Sequence, residues 1–207
     1  MYETILVPSD GSTGSAHVAL HAIELAETHG AQLHALSVVD ESQTRVLRRA
    51  GVSTAALGTH AEQAVRTIER MAASHGVQCE TAIRDGEPAE SILDYASEHG
   101  IDLIVSGTHG RKGMRRHLIG SVAERIVRQA DVPVLTVRLP ETDETVTDGE
   151  HARSIMADAL VNAGIQTETL TVERQLSVWI GTADAESGTV VVYVDPITQR
   201  TSVLPQW

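Results

Sequence analysis

Short apolar runs alternate with stretches of helical periodicity along the first two-thirds of the chain. The apolar runs predict strands at residues 4–7, 33–39, 77–83, 103–106 and 133–137. Between most of them, apolar residues recur every three or four positions, and glycine or proline stands near the helix ends. Strands that are apolar throughout and alternate with helices are typical of a parallel sheet covered on both faces. We therefore expect an open five-stranded α/β sheet in the order 3-2-1-4-5.

One segment interrupts this alternation. Residues 40–57 contain Arg45, Arg48 and Arg49 among several small residues, without a clear period. The composition predicts a mobile loop or a frayed helix extension.

The pattern changes after residue 138. Residues 139–147 are acidic and predict a linker. Thr147 and Glu150 resemble a capping box at the start of a helix, and four strand-like runs follow that helix. We therefore predict a first domain at 1–138 and a small α+β domain at 148–207.

The loop at residues 107–121 joins the fourth predicted strand to a helix and carries several glycines. In α/β proteins such a loop holds phosphate groups, because its amides and the positive end of the helix attract an anion. Residues 107–128 include six basic residues and one acidic residue, a local net charge of +5 in a chain of net charge −12. This predicts a phosphate-bearing ligand, and a solvated basic helix end is the alternative for the charge alone.

A second polar loop is expected to lie beside this one. Ligands of open α/β sheets bind at the carboxyl ends of the strands, where the strand order reverses. In the order 3-2-1-4-5 the loop at 8–12 then faces the loop at 107–121 across one crevice.

Composition narrows the class of protein. The mean hydropathy is −0.07, and neither a membrane-spanning apolar run nor a signal peptide is visible, which predicts a cytoplasmic protein. The net negative charge argues against nucleic acid as a partner. Lys112 is the only lysine in this acid-rich chain, a composition that suggests adaptation to high salt.

The single cysteine, Cys79, is predicted to be a small core residue. His17 and His21 are predicted to be helix-surface residues rather than metal ligands.

The glycine loop resembles a known signature. Gly107, Gly110, Gly120 and Ser121 follow the pattern glycine, two residues, glycine, nine residues, glycine-serine. This pattern is similar to the ATP-binding signature of the universal stress proteins of the UspA type. The resemblance covers residues 1–138 and includes segments that resemble the family's first strand and turn, the end of its second strand and its closing strand; these are residues 5–12, 38–40 and 130–135.

The resemblance implies an ATP site, with Mg²⁺ or Mn²⁺ at Asp10. Pro8 and Val38 would border the adenine, and Asp10 would lie near the ribose or the metal. Loop amides and the Ser121 hydroxyl would hold the phosphates. The residues implied to bind the nucleotide are Pro8, Asp10, Val38, Gly107, Thr108, His109, Gly110, Arg111, Lys112, Gly113, Gly120, Ser121, Val122 and Ala123.

Several roles stay open on the sequence alone. Asp10 and Ser121 are also suited to capping the structure that follows them, and His109 is interpreted as a loop residue rather than a base. The resemblance implies a homodimer through residues 134–137, whose apolar edge would otherwise be exposed. The predicted function is that of a nucleotide-gated stress or signalling protein that an unidentified protein partner recognises. The alternatives are a slow ATPase or phosphotransferase using His109 or Asp10, and an interaction module without nucleotide.

Overall fold

A computed structural model describes residues 2–12, 14–49, 55–108, 120–138, 145–175, 178–185, 188–196 and 199–205. The chain forms two compact units, residues 1–139 and 140–207. Within the described part, no helix has the length and apolar character needed to cross a membrane.

The first unit alternates strands and helices. Its elements are β1 (Thr4–Pro8), α1 (Ser15–His29), β2 (Gln32–Asp40), α2 (Glu41–Arg49), α3 (Ala55–Ser74), β3 (Cys79–Gly86), α4 (Pro88–Glu98), β4 (Leu103–Gly107), α5 (Ser121–Gln129) and β5 (Val134–Val137). All neighbouring strands are parallel, in the order β3-β2-β1-β4-β5. The predicted strand order and fold class are therefore confirmed.

The segment predicted to be a mobile loop or a frayed helix extension contains a helix, α2. The Asp40 carboxylate accepts a hydrogen bond from the Ser42 amide at 2.7 Å, which satisfies a backbone group at the helix start. Glu41 and Arg45 then form an ion pair one turn apart, at 3.9 Å. Local polar contacts stabilise this helix, and residues 55–57 of the same segment begin α3.

The core on the α4 and α5 face of the sheet is built by alternation along the strands. Leu6, Leu36 and Ile104 point to this face and are fully buried, where they pack with Tyr95 and Ile126. Burying side chains of this size supplies about 1.5–3 kcal/mol each. This packing holds the carboxyl ends of β1 and β4 side by side.

A histidine–tyrosine pair lies within this core. His34 is 4% exposed, and its Nδ1 is hydrogen-bonded to the Tyr95 hydroxyl at 3.0 Å. Burial lowers the pKa of His34 below its ordinary value of 6.5, the charge of Glu80 opposes this shift, and His99 adds to it.

This pair predicts an acid-sensitive fold. Below pH 6.5 the unfolded chain binds a proton at His34 more readily than the folded chain does, so folding stability falls as the pH drops from 6.5 towards the lowered pKa. We expect the free energy of unfolding of a His34→Gln variant to depend less on pH in that window. Denaturant unfolding between pH 5 and 7.5 tests this, with the exposed His151→Gln as the control. Equal slopes in wild type and His34→Gln would contradict the prediction.

The second unit is one helix on an antiparallel sheet. It consists of α6 (Gly149–Asn162), β6 (Thr167–Gln175), β7 (Val178–Ala185), β8 (Gly188–Val194) and β9 (Thr201–Pro205), in the strand order β6-β7-β8-β9. The predicted α+β unit is confirmed. The predicted capping box is not the cap that forms, because Asp148 is the N-cap and accepts from the His151 amide at 2.8 Å. A carboxylate one residue closer to the helix reaches that amide directly.

The core of the second unit lies between α6 and β7. A Cβ atom on Gly181 would come within 2.5 Å of the Met156 sulfur and 3.0 Å of Leu170 Cδ1, so these side chains pack directly against the glycine. The Trp179 indole donates to the Val146 carbonyl at 2.9 Å, and Val146 is fully buried. The last part of the expected linker, from Thr145, thus packs within this unit.

Candidate functional site

The carboxyl ends of β1 and β4 form one edge of the first unit. These strands are adjacent and parallel, with Leu6 paired to Ile104. The strand order reverses between them, since β2 follows on one side and β5 on the other. This is the place in an open α/β sheet where ligands bind.

The turn after β1 is held by its own side chains. One carboxylate oxygen of Asp10, Oδ1, accepts from the Ser12 amide at 2.9 Å and from the Ser15 hydroxyl at 3.1 Å. The Gly11 amide donates to the Ser9 hydroxyl at 3.2 Å. Asp10 therefore caps the turn, whereas the N-cap of α1 is Gly14. This role of Asp10 is compatible with contact to a ligand.

Across the crevice lies the start of α5. Gly120 is the N-cap, without a side-chain capping bond, and the first intrahelical bond runs from the Glu124 amide to the Gly120 carbonyl at 2.8 Å. The amides of Ser121, Val122 and Ala123 precede that bond. Amides in this position, at the positive end of a helix, are suited to hold phosphate oxygens.

Backbone pairing closes the base of the glycine loop. The Gly120 amide donates to the Thr108 carbonyl at 2.7 Å, and the Thr108 amide donates to the Val137 carbonyl at 3.1 Å. Gly107 is the last residue of β4 and pairs with Val137. The two ends of the loop are thereby fixed beside the start of α5.

Apolar side chains border the same edge. Pro8 ends β1, and the Ser9 amide continues the ladder by donating to the Leu36 carbonyl at 2.8 Å. Val38 lies two residues further along β2, and it packs with Val122 against the core cluster of this face. Pro8 and Val38 therefore lie near the carboxyl ends of the neighbouring strands β1 and β2.

Five of the predicted site residues lie outside the described part of the chain: His109, Gly110, Arg111, Lys112 and Gly113. Their roles stay predictions.

Part of the predicted cationic segment is neutralised by ion pairs. Arg125 is 2.7 Å from a carboxylate oxygen of Glu87, and Arg128 is 2.6 Å from Glu124. These exposed pairs are worth little to stability, but they direct two guanidinium groups towards carboxylates of the protein. The positive charge that attracts an anionic ligand must then come mainly from the basic residues in the range 111–116.

A metal site made by protein groups alone is not found in the described ranges, where no three histidine, cysteine, aspartate or glutamate side chains form a suitable group. His17 and His21 stack edge to face with ring centroids 4.6 Å apart. His17 is buried, so the prediction that it lies on the helix surface is wrong. A single carboxylate such as Asp10 fits Mg²⁺ only if phosphate and water complete the shell, as is common for this ion.

Sequence reasoning missed one residue at this edge. His60, on α3, places its Nε2 atom 3.0 Å from the Asp10 carbonyl oxygen. Fifty residues separate the two, and no local pattern in the sequence connects them. Only the packing of α3 beside the turn reveals the contact.

The single thiol is unsuited to chemistry. Burial, with the nearby charges of Glu69 and Glu80, raises the pKa of Cys79 to about 12, so the thiol stays protonated. We expect Cys79 in the folded protein to react with a thiol reagent at pH 8 roughly a thousand times more slowly than free cysteine, because the thiolate is the reactive form. Ellman's assay with and without denaturant measures this ratio. Reaction at the rate of free cysteine in the folded protein would contradict it.

Comparisons with known proteins agree on the first unit. The universal stress protein MJ0531 of Methanocaldococcus jannaschii is 37% identical over 146 residues, which cover 69% of this chain and 86% of that protein. The solved structure of UspA from Lactobacillus plantarum aligns with a TM-score of 0.59 and 33% identity, over 66% of this chain and 98% of its own. A universal stress protein solved in complex with cAMP shares the fold, with a TM-score of 0.50 and 23% identity, over 66% of this chain and 97% of its own.

A family model covers the same region. The model of the universal stress protein family matches residues 1–138, two-thirds of the chain and nearly all of the first unit. The fold, the strand order and the sequence similarity point the same way, and this chain belongs to the universal stress protein family.

Proposed function

We propose that this protein binds ATP between the carboxyl ends of β1 and β4 and acts as a nucleotide-dependent protein of stress response or signalling. One observation carries the proposal: the turn at Asp10 and the start of α5, where the N-cap residue is a glycine without a side chain, flank the crevice where the strand order reverses. Backbone amides and a carboxylate in this arrangement suit a phosphate chain and its metal ion.

The proposed roles follow the geometry. The phosphates bind the amides of Ser121, Val122 and Ala123, and the adenine lies against Pro8 and Val38. Gly107 and Gly120 have no side chains and let the backbone approach the phosphate chain closely, and Thr108 holds the base of the loop through its backbone. The remaining contacts come from residues 109–113, with Arg111 and Lys112 supplying positive charge to the terminal phosphate.

Binding with slow or no turnover fits the Asp10 carboxylate best. Its Oδ1 already accepts hydrogen bonds from the Ser12 amide and the Ser15 hydroxyl, so this oxygen is engaged in holding the turn. Phosphoryl transfer needs a positioned nucleophile or water in addition to charge stabilisation. The bound nucleotide would then determine the conformation of the surface that a protein partner recognises.

A homodimer through β5 is part of the proposal. Among the described strands β5 pairs only with β4, and Leu135 on it is 41% exposed. An apolar edge of this kind favours pairing with a second copy. We expect a Leu135→Glu variant to elute as a monomer in light-scattering chromatography, whereas the wild type elutes as a dimer. A wild-type monomer, or a variant that is still a dimer, would refute this interface.

Calorimetric titration of the nucleotide-stripped protein in molar KCl tests the nucleotide site. The ligands are ATP with and without Mg²⁺, GTP, inorganic tripolyphosphate, and cAMP, because a protein of the same fold has been solved with it. We expect saturable ATP binding and weaker tripolyphosphate binding, since tripolyphosphate lacks the base. An Asp10→Asn variant retains an acceptor for the Ser12 amide, so it should lower affinity for Mg-ATP more than for ATP alone. A folded wild type that binds no nucleotide would overturn the proposal.

A further inference from the structure

The side chain of His60 on α3 contacts the turn after β1. His60 is half-buried, and its Nε2 atom lies 3.0 Å from the Asp10 carbonyl oxygen. A carbonyl oxygen only accepts, so Nε2 carries the proton and donates it. This hydrogen bond fixes the orientation of the peptide that joins Asp10 to Gly11.

The same ring also excludes a side chain from the turn. Gly11 has a φ of +71°, and a Cβ atom on it would come within 2.5 Å of Nε2 and 3.1 Å of Cε1 of His60. The imidazole therefore occupies the space beside Gly11. The turn is held from within by Ser9 and Asp10, and from outside by His60.

We propose that His60 is a positioning residue of the nucleotide site, an inference that rests on the proposed function. Its hydrogen bond keeps the Asp10–Gly11 peptide in one orientation. The positions of the Asp10 carboxylate and the Ser12 amide depend on that orientation. Without it, this peptide is held only by the bond from the Gly11 amide to the Ser9 hydroxyl, and its orientation is less well fixed, because glycine adopts several backbone conformations at similar free energy. The ligand must then order the turn, and its affinity falls.

A double-mutant cycle tests the contact without nucleotide. Gly11→Ala, His60→Ala and the double variant are compared with the wild type in denaturant unfolding. We expect Gly11→Ala to destabilise the protein less in the His60→Ala background, because the steric clash is gone and only the strain of positive φ remains. Additive effects would show that the ring does not occupy this space and would overturn the inference.

Nucleotide affinity tests the positioning role. Calorimetry with Mg-ATP is run on wild type, His60→Ala, His60→Gln and the control His75→Ala, whose ring contacts Glu27 instead. We expect the dissociation constant to rise roughly fivefold to tenfold in His60→Ala. Glutamine also offers an N–H donor, so His60→Gln should restore affinity to within about twofold of the wild type, a rescue that a purely structural role does not predict.

The outcomes separate the two proposals. A wild type that binds ATP, together with a His60→Ala variant of equal affinity, would overturn the role of His60 and leave the nucleotide site intact. A wild type that binds no nucleotide would overturn both, even where the double-mutant cycle shows coupling.

Discussion

Replacing Gly120 by valine is expected to abolish ATP binding while the sheet stays folded. The N-cap backbone at this position has φ −59° and ψ 148°, which valine adopts without strain, and its amide still donates to Thr108. The isopropyl group, however, stands next to the amides of Ser121, Val122 and Ala123, where the phosphates are proposed to bind. Loss of two hydrogen bonds to a charged group removes about 3–6 kcal/mol, more than a hundredfold in affinity.

The control for this variant is Gly58→Val. Gly58 lies on α3, has no atom within 4 Å of a Cβ placed on it, and is exposed. Calorimetry should therefore show wild-type ATP affinity for Gly58→Val and no saturable binding for Gly120→Val, with the circular dichroism of both unchanged. Wild-type affinity in a folded Gly120→Val protein would place the phosphates somewhere other than at the start of α5.

Replacing Trp179 by alanine is expected to unfold the second unit. The indole is 9% exposed, packs in the core between α6 and β7, and donates to the Val146 carbonyl. Truncation of a buried tryptophan typically costs 3–5 kcal/mol, and it leaves the buried carbonyl without its donor. A unit of this size buries a small core, so this loss is comparable with its whole stability.

Hydrogen exchange with mass spectrometry resolves this effect by segment. Peptides from β7 and β8 should exchange rapidly in Trp179→Ala and slowly in the wild type. Val161→Ala is the control, because Val161 is 73% exposed on α6 and its truncation should change stability by less than about 0.5 kcal/mol. Retained protection in β7 of the Trp179→Ala protein would show that the tryptophan is not a principal contributor to this core.

The sequence predicted those secondary-structure elements best whose local residues give a clear hydrophobic or capping pattern. The run at 103–106 became β4, and Glu87 and Pro88 begin α4 as a cap and a first-turn proline. Of the segment at 40–57, predicted as a mobile loop or a frayed helix extension, residues 41–49 form α2 and residues 55–57 begin α3. Asp40 and the pair of Glu41 and Arg45 stabilise α2, which has few apolar residues. A prediction based on hydrophobic periodicity gives little weight to polar contacts of this kind.

By itself, the sequence determined the fold class and the strand order, and it predicted that the loops at 8–12 and 107–121 face each other where that order reverses. It did so because continuous apolar runs, glycine stops and right-handed connections leave few arrangements. Only the tertiary structure decided that His60 reaches the Asp10 turn, that His17 is buried and that Val146 belongs to the second core. These contacts join segments that are far apart in the chain. Tertiary packing decides which side chains meet, and a local sequence pattern contains no information about it.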